Sequence, residues 1–412
     1  MRGGDTSGLR AYNERLIMDA LLRAGALSKA EIARETGLSG QAASVIVNKL
    51  LTEGLLVKRD KVRGQVGQPS TPIAPNPQGA FSLGVKIGRR STEAILVNLL
   101  GEVIGSSSES YDAPLPERTI SSAISQARRL MERAPASVRA RVVGLGIAMP
   151  GEIYAWSKEL GLAPGALDGW HGADVAGALA EATGLETSLH NDATAACAAE
   201  MICGRAIDRP SALYIYLGTF IGGGVVIDGK LYPGAQLNAG AVGSMPVGPS
   251  GGGAPPEQLI HSASVIKLER ALSAAGIEPS LALTQDATEG ARAVFKAWAD
   301  AAIPDLSRGV VSALSIIDFQ RVVIDGLLPP PWRDAMVDRL TAALDGFNRA
   351  GLAPTEITTG SIGPMARVLG AAVLPLHGRF SPDPGLLVRV SDSRKDGGAL
   401  RDRRPGEVLQ GT

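Results

Sequence analysis

Hydrophobic positions recur at helical spacing in the segment from residue 27 to residue 57, near the start of the chain. Ser28 is followed three residues later by Glu31, which is the capping-box pattern of a helix start, and Gly37 supplies the positive φ that ends a helix. Ser39 is the expected cap of a second helix. The apolar positions of that second helix share one face, and they are Ala43, Ile46, Val47, Leu50 and Leu51. The segment therefore predicts a helix-turn-helix.

The second predicted helix begins with short polar side chains, as does a helix that enters the major groove of DNA. We expect Gln41 and Ser44 to contact bases, and Asn48 and Lys49 to contact phosphates. The predicted DNA-binding positions of this helix are Ser39, Gln41, Ala42, Ser44, Val45, Asn48 and Lys49. The alternative is an ordinary helical hairpin with no role in DNA binding.

A short basic segment after this helix indicates a wing. We expect a strand over residues 55–58, a turn over residues 59–67, and a return strand over residues 68–73 whose prolines confine it to a sheet edge. In such a turn Lys61 and Arg63 would lie on phosphates or enter the minor groove of DNA. A solvated charged loop is the alternative interpretation.

From residue 81 onward, apolar or alternating strands are interleaved with helices, which indicates an α/β fold. The predicted strands are 81–87, 93–100, 102–109, 141–148, 186–190, two strands around a glycine-rich turn at 218–224, then 321–325 and 356–359. The predicted helices are 9–24, 116–133, 172–183, one that starts at Asp192, 255–275, 287–314, 331–347 and 362–376.

A proline-rich segment at residues 74–78 separates the two patterns. We therefore expect a winged helix-turn-helix domain over residues 1–75 and a second domain over residues 76–392. The proline-, glycine- and charge-rich end of the chain, residues 393–412, is expected to be disordered.

The amino-acid composition excludes some classes of protein. The 412 residues carry 41 basic and 41 acidic side chains, so the net charge gives no information about a nucleic-acid partner, although residues 1–75 have a basic excess of four. No apolar run reaches the length of a membrane span, and we expect a soluble, cytoplasmic protein with no membrane partner. Two cysteines exclude a disulfide framework, and no cysteine or histidine cluster has metal-ligand spacing. We expect no metal and no cofactor.

Four segments resemble the regulator branch of the ROK family (repressors, open reading frames, kinases). They are the helix-turn-helix, FSLGVKIGRRSTEAILVNLLGEVI at 81–104, HNDATAACAAE at 190–200 and YIYLGTFIGGGVVIDGKLYPGA at 214–235. The resemblance covers residues 9–379. It implies an α/β architecture in which a winged helix-turn-helix precedes a two-lobed actin/hexokinase-like (ribonuclease H-like) ROK domain that senses a ligand and forms oligomers.

The same resemblance bears on kinase activity. ROK sugar kinases carry Asp-x-Gly-Gly-Thr at the first hairpin, where the aspartate holds Mg²⁺ and the glycines approach phosphate. Here Lys86 stands for the aspartate and would repel Mg²⁺, while Arg89 puts a bulky side chain in the phosphate path. Asn191 and Asp192 keep the general-base motif, and Phe220 replaces a glycine of the second phosphate turn. We predict no catalytic residues; a ROK sugar kinase with an unusual phosphate-binding turn is the alternative.

The structural zinc site of the family is also altered. Ala241 stands for its glutamate and Ser244 for its histidine, and residues 248–257 contain none of its cysteines, so we predict no zinc.

A ligand cleft between the lobes is expected to remain. Its predicted ligand-binding residues are Gly151, Asn191, Asp192, Asn238 and Ser244, which would contact a sugar or sugar phosphate. For Asp192 the alternative is a plain helix cap, and for Asn238 and Ser244 a solvated loop.

The basic turn at Lys86, Arg89 and Arg90 allows two interpretations. It is either a solvated basic turn or a cationic pocket for an anionic sugar. The sequence leaves open whether Lys86 and Arg89 block or repurpose the old nucleotide site.

These observations predict a transcriptional regulator, in the first place a repressor, that binds double-stranded DNA at an inverted repeat as a homodimer or homotetramer. A sugar-type effector would release the operator or change its binding. A third possibility is a ligand-independent protein whose second domain only dimerises.

Overall fold

The computed structural model describes residues 6–60, 71–151, 153–157, 160–248, 256–283 and 287–382. Three helices and a two-stranded antiparallel sheet form the amino-terminal domain. Its elements are α1 (Thr6–Ala24), α2 (Lys29–Thr36), α3 (Gly40–Thr52), β1 (Leu56–Lys58) and β2 (Ile73–Pro75). This is the predicted winged helix-turn-helix.

Local chemistry places the ends of α2 and α3. The Glu31 amide donates to Ser28 Oγ at 3.3 Å and the Ser28 amide donates to Glu31 Oε2 at 2.8 Å, so the predicted capping box is confirmed. Gly37 follows α2 with a φ of 68°, and Ser39 Oγ accepts from the Ala42 amide. On α3, the predicted apolar face is buried except for Leu51, which is half-buried.

The return strand predicted over residues 68–73 differs from the structure in its described part, because residues 71 and 72 are not in a strand and β2 runs from Ile73 to Pro75. Ile73 pairs with Lys58 on one side and exchanges two backbone hydrogen bonds with Leu27 on the other. Because Ile73 has two pairing partners and a buried side chain, the strand begins at Ile73, later in the sequence than predicted. Lys61, Arg63 and the rest of residues 61–70 lie outside the described residues.

Two lobes of the same topology follow. The first contains a five-stranded sheet in the order β5-β4-β3-β6-β7, in which the first three strands are antiparallel and the last two run parallel. Its strands are β3 (Phe81–Ile87), β4 (Ser91–Asn98), β5 (Val103–Ser110), β6 (Val142–Met149) and β7 (Thr187–Asn191). Its helices are α4 (Pro116–Arg133), α5 (Ala136–Arg139), α6 (Val175–Thr183) and α7 (Asp192–Cys203).

The second lobe repeats this pattern with the order β10-β9-β8-β11-β12. Its strands are β8 (Ala212–Leu217), β9 (Gly222–Ile227), β10 (Lys230–Tyr232), β11 (Arg321–Gly326) and β12 (Glu356–Thr359). Its helices are α8 (Leu259–Ser262), α9 (Val265–Ala274), α10 (Pro279–Ala282), α11 (Glu289–Ile316) and α12 (Pro330–Leu344). The predicted α/β fold of actin/hexokinase type is confirmed.

Two further differences from the predicted elements lie in the second lobe. The glycine-rich turn at 218–224 ends earlier, because Gly222 to Gly224 belong to β9; a Cβ at Gly224 would lie 2.4 Å from Cys197 Cβ, so the glycine allows close packing on α7. The helix expected at 255–275 is divided into α8 and α9. Ser264, at the division, accepts a hydrogen bond from the Ile221 amide and so ties this break to the glycine-rich turn.

The last helix, α13 (Ala366–Phe380), packs between the lobes and the amino-terminal domain. Its contact with α7 is close, since a Cβ at Gly370 would lie only 1.7 Å from the Ala195 carbonyl oxygen. At its other end, Leu376 and Phe380 belong to one buried cluster with Ile17 and Leu21 of α1. The core of the winged helix-turn-helix is therefore continuous with that of the second domain. None of the described helices could span a membrane.

Candidate functional site

The two lobes enclose a cavity of about 130 Å³ that all five predicted ligand-binding residues line. Gly151, Asn191 and Asp192 come from the carboxyl-terminal ends of β6 and β7 in the first lobe, and Asn238 and Ser244 from the loop after β10 in the second. One water needs about 10–15 Å³ of such space, so the cavity holds on the order of ten waters, close to the roughly dozen non-hydrogen atoms of a hexose. A monosaccharide therefore matches the space.

Asn191 and Asp192 have different roles at the start of α7. Asn191 is the helix cap, because its Oδ1 accepts from the amides of Ala193 and Thr194 at 3.0 and 3.3 Å. Asp192 is the first helical residue, so the alternative that it is only a cap is wrong. Its Oδ2 accepts from Nη1 of Arg367 at 3.2 Å. Asp192 thus lines the cavity and holds the start of α13.

The other predicted ligand residues face open space. The side chains of Asn238 and Ser244 are exposed and form no hydrogen bond with any residue that the structure describes. A Cβ at Gly151 would meet nothing within 4 Å, so its backbone is open to a ligand. Their position on one cavity wall fits binding, and their exposure also fits the solvated-loop alternative.

The basic turn between β3 and β4 is not a solvated turn, which corrects the first interpretation. Lys86 is buried beside Glu93, with Nζ 2.6 Å from Oε1, and burial lowers the pKa of Lys86 to about 8 although Glu93 opposes this. Arg90 remains exposed and pairs with Glu269 of the second lobe at 2.9 Å.

Arg89 is also buried, with 7% of its surface exposed. Its guanidinium carbon lies 3.5 Å from the ring centroid of Trp156 and 3.9 Å from that of Phe220. Phe220 belongs to the second lobe, so Arg89 bridges the cleft.

The segment that stands for the family's zinc motif lines the cavity through Ala241 and Ser244. Most of the second zinc segment, residues 249–255, lies outside the described part of the chain. Among the residues that are described, no three histidine, cysteine or acidic side chains are grouped as metal ligands.

The α3 helix presents an exposed row formed by Gln41, Val45 and Asn48. Asn48 in this row also has a partner within the domain, and so has the half-buried Ser44. Lys29 Nζ donates to Ser44 Oγ at 3.2 Å and to Asn48 Oδ1 at 2.7 Å.

The structure also shows the surroundings of three more predicted DNA contacts. Lys49 pairs with Glu14 at 2.5 Å, Ser39 caps α3, and Ala42 is half-buried. Gln41 therefore remains the most available base-reading side chain.

Sequence reasoning missed Lys29, Trp156 and Arg367. Lys29 could have been found from its place at the start of α2, opposite the polar face of α3. Arg367 and Asp192 are 175 positions apart, and no local pattern connects them. Trp156 lies in a short 3₁₀ turn after the Pro150–Gly151 segment, where an isolated aromatic residue carries no signal of its own.

Fold and site together define a DNA-binding transcriptional regulator, in which a winged helix-turn-helix is fused to a kinase-like domain with a ligand-sized cleft. The family model described as "ROK family" matches residues 82–377, and one described as "MarR family" matches residues 12–64. The chain belongs to the ROK family.

Individual relatives agree with this assignment. The chain is similar to a transcriptional regulator of Mycobacterium bovis, with 25% identity over 89% of this chain and 85% of that protein. It is 25% identical to the xylose repressor of Bacillus spizizenii over 59% of this chain and 62% of the repressor. A solved ROK family transcriptional regulator, described as a homologue of the E. coli Mlc protein, shares the fold with a TM-score of 0.66 at 18% identity, over 90% of this chain and 98% of that one.

Proposed function

We propose that this regulator is a repressor whose cleft binds a sugar or sugar derivative and thereby releases operator DNA. The observation that carries the proposal is the path of α13, which bonds to the cleft at one end and to the DNA-binding domain at the other.

The two ends of α13 are joined by one continuous helix, which contains Pro375 near its carboxyl end. Arg367 binds Asp192 in the cleft, and the Gly378 carbonyl accepts from Nη1 of Arg15 in α1 at 3.0 Å. These two α13 residues lie about 16 Å apart along the helix axis. Because the close contact at Gly370 leaves no side chain between α13 and α7, a shift of α7 at the cleft carries α13 with it. Ligand binding thereby reaches α1 and the recognition helix.

The ligand class is supported by the cavity and by a relative. The cavity has the size of a monosaccharide, and its polar side chains can bond hydroxyl groups: Asp192 keeps one carboxylate oxygen beyond the one that accepts from Arg367. A relative is named as a xylose repressor, which places a sugar-responsive protein in the same family. A sugar or a close derivative is therefore the proposed effector.

DNA binding is proposed to involve two copies of the chain. One 13-residue recognition helix reaches only a few base pairs, and a two-fold dimer places two such helices about 34–36 Å apart on an inverted repeat. The chain acts as a homodimer, or as a homotetramer built from such dimers, and it works in the cytoplasm. Release needs only part of the roughly 4–10 kcal/mol by which specific binding exceeds non-specific binding.

Under the same proposal, the chain has no sugar kinase activity. Phosphoryl transfer depends on a metal that neutralises phosphate charge, and the position of the metal-binding aspartate holds the Lys86–Glu93 pair. Beside this pair, where the resemblance implies a glycine that lets phosphate approach, the bulky side chain of Arg89 lies between two aromatic rings.

Selection of genomic DNA fragments by the purified full chain tests the proposal. We expect enriched fragments to share an inverted repeat and one pool of sugars or sugar derivatives to abolish the enrichment. Absence of any shared repeat under all conditions would overturn the regulator assignment. Enrichment that no pool changes would overturn the sensing role alone and favour a domain that only dimerises.

A further inference from the structure

The basic turn between β3 and β4 contributes three cations, and one of them lacks an anionic hydrogen-bond partner among the residues that the structure describes. Lys86 is paired with Glu93, and Arg90 with Glu269. Arg89 forms no hydrogen bond or ion pair with any described residue, and its Nε is buried without an acceptor. Burial of an unpaired guanidinium is costly, so a buried arginine of this kind calls for an acceptor that arrives from outside.

Arg89 is held in place by contacts that leave its donors unused. The rings of Trp156 and Phe220 cover the guanidinium at 3.5 and 3.9 Å. Such stacking stabilises the cation through the ring faces but supplies no acceptor for its N–H groups. The guanidinium thus lines the ligand cavity as a preorganised donor.

The surrounding charges favour an anion at this position. Burial lowers the pKa of Arg89, and Asp192 raises it while Arg367 and Arg90 lower it further. Asp192 already accepts from Arg367. Arg89 and Asp192 line the cavity and belong to a group of interacting charges, in which three cations (Lys86, Arg89 and Arg367) and two carboxylates (Glu93 and Asp192) leave one positive charge in excess.

We propose that the effector is a sugar bearing an oxyanion, either a carboxylate or a phosphate, and that Arg89 binds that group. This inference rests on the proposed function, since it names the class of ligand for the same cleft. The fork of N–H donors of a guanidinium matches the paired oxygens of carboxylate and phosphate. The hydroxyl groups of the sugar then face Asp192, Asn238 and Ser244. Arg89 is thus a ligand-binding residue in the space where the resemblance places nucleotide phosphates.

Calorimetric titration of the full chain with matched sugars tests this assignment. The neutral parents are glucose and xylose, and the charged partners are gluconate, glucuronate, xylonate, glucose 6-phosphate and xylose 5-phosphate. We expect at least one charged member to bind tenfold or more tightly than its neutral parent. Whether the sugar acids or the sugar phosphates give this preference identifies the source of the oxyanion. Equal or tighter binding of the neutral parents would overturn the inference.

Two variants test whether Arg89 causes the preference for charged sugars. Arg89→Met keeps an unbranched side chain between the two rings and removes the charge, so the charged preference should fall to within about threefold. Arg90→Gln removes a neighbouring charge whose partner is Glu269, and it should retain the preference. Persistence of the preference in Arg89→Met, or its loss in both variants alike, would contradict a specific role of Arg89.

The outcomes separate this inference from the proposed function. If a neutral sugar binds and releases operator DNA, the sensing role stands and the oxyanion is wrong. If no sugar of either kind binds while the full chain still binds operator fragments, both the sensing role and the oxyanion fail. Operator binding by Arg89→Met also shows that this variant is folded.

Discussion

Arg15 of the DNA-binding domain donates a hydrogen bond to the main-chain carbonyl of Gly378, 3.0 Å away near the end of α13. The same guanidinium nitrogen lies 3.4 Å from the Ser381 carbonyl oxygen. A cation at a helix carboxyl terminus meets the negative end of the helix dipole and its unpaired carbonyls. The contact therefore joins α1 to the helix whose other end carries Arg367, the partner of Asp192.

Removal of this contact should weaken the coupling between the two domains. In Arg15→Ala, we expect the affinity for the effector and the affinity of the free protein for operator to stay within about twofold of wild type, because Arg15 touches neither the cleft nor the recognition helix. The effect of the effector on operator affinity should fall about fivefold, since one exposed contact is worth about 1 kcal/mol. Fluorescence anisotropy of a labelled operator, measured with and without effector, reports all three quantities.

Arg23→Ala is the matched control, because Arg23 is exposed on the same helix and pairs with Asp19 one turn away. It should keep the wild-type response. An Arg15→Ala protein that still responds fully to effector would show that the signal takes another route.

Asp192→Ala should abolish the effector response, because it removes a cleft carboxylate and the link to Arg367 together. Operator affinity without effector should remain within about threefold of wild type. Asp174→Ala is the control: Asp174 caps α6 outside the cavity lining, and its loss should leave the response intact. A fall in operator affinity for Asp192→Ala would assign Asp192 a structural role instead.

Gln41→Ala should weaken binding to the selected operator by about 1–3 kcal/mol and leave binding to random DNA unchanged, as expected for a base contact. Arg63→Ala, at a predicted phosphate contact, should weaken both kinds of DNA alike and lower the salt dependence of binding by about one unit. Titrations of both variants at several salt concentrations distinguish these patterns. Equal losses on operator and random DNA would contradict base reading by Gln41.

Lys86 should make the stability of the protein depend on alkaline pH. Burial lowers its pKa from 10.5 to about 8, so between these pH values the unfolded state binds more protons than the folded state and stability rises with pH. The unfolding free energy of wild type, relative to that of Lys86→Met, should therefore increase as the pH rises across this window, by about 3 kcal/mol at most.

Urea denaturation at pH values on both sides of the window measures this difference. Lys267→Met, which replaces an exposed lysine of α9, is the control and should show no such gain. A difference between wild type and Lys86→Met that stays constant or shrinks as pH rises would contradict the effect.

Local patterns predicted local structure well. The capping box of α2 and the helix over Pro116–Arg133 depend on residues close in sequence, and both were found as expected. The start of β2 was misplaced because it depends on pairing with Leu27, which lies far back in the chain. Local patterns therefore cannot predict the position of an element that depends on residues far away in the sequence.

The candidate site also contains some residues that were predicted and others that were not. The cleft residues around Asp192 followed from a family resemblance rather than from local chemistry. Glu93 faces Lys86 across the hairpin of β3 and β4. The burial of Arg89 could not be predicted, because Trp156 and Phe220, which cover it, lie far away in the sequence. Polar residues that look solvated in a sequence can be internal once a cleft is formed.

The affinity of the full chain for the selected operator, measured with and without pools of neutral sugars, sugar acids and sugar phosphates, tests the central claim most directly. Coupling through α13 predicts that one pool weakens operator binding at least tenfold while the other pools leave it unchanged. If a pool raises the melting temperature of the protein, which shows that a member binds, and yet operator affinity stays the same with every pool, the cleft does not control the DNA-binding domain and the account is wrong.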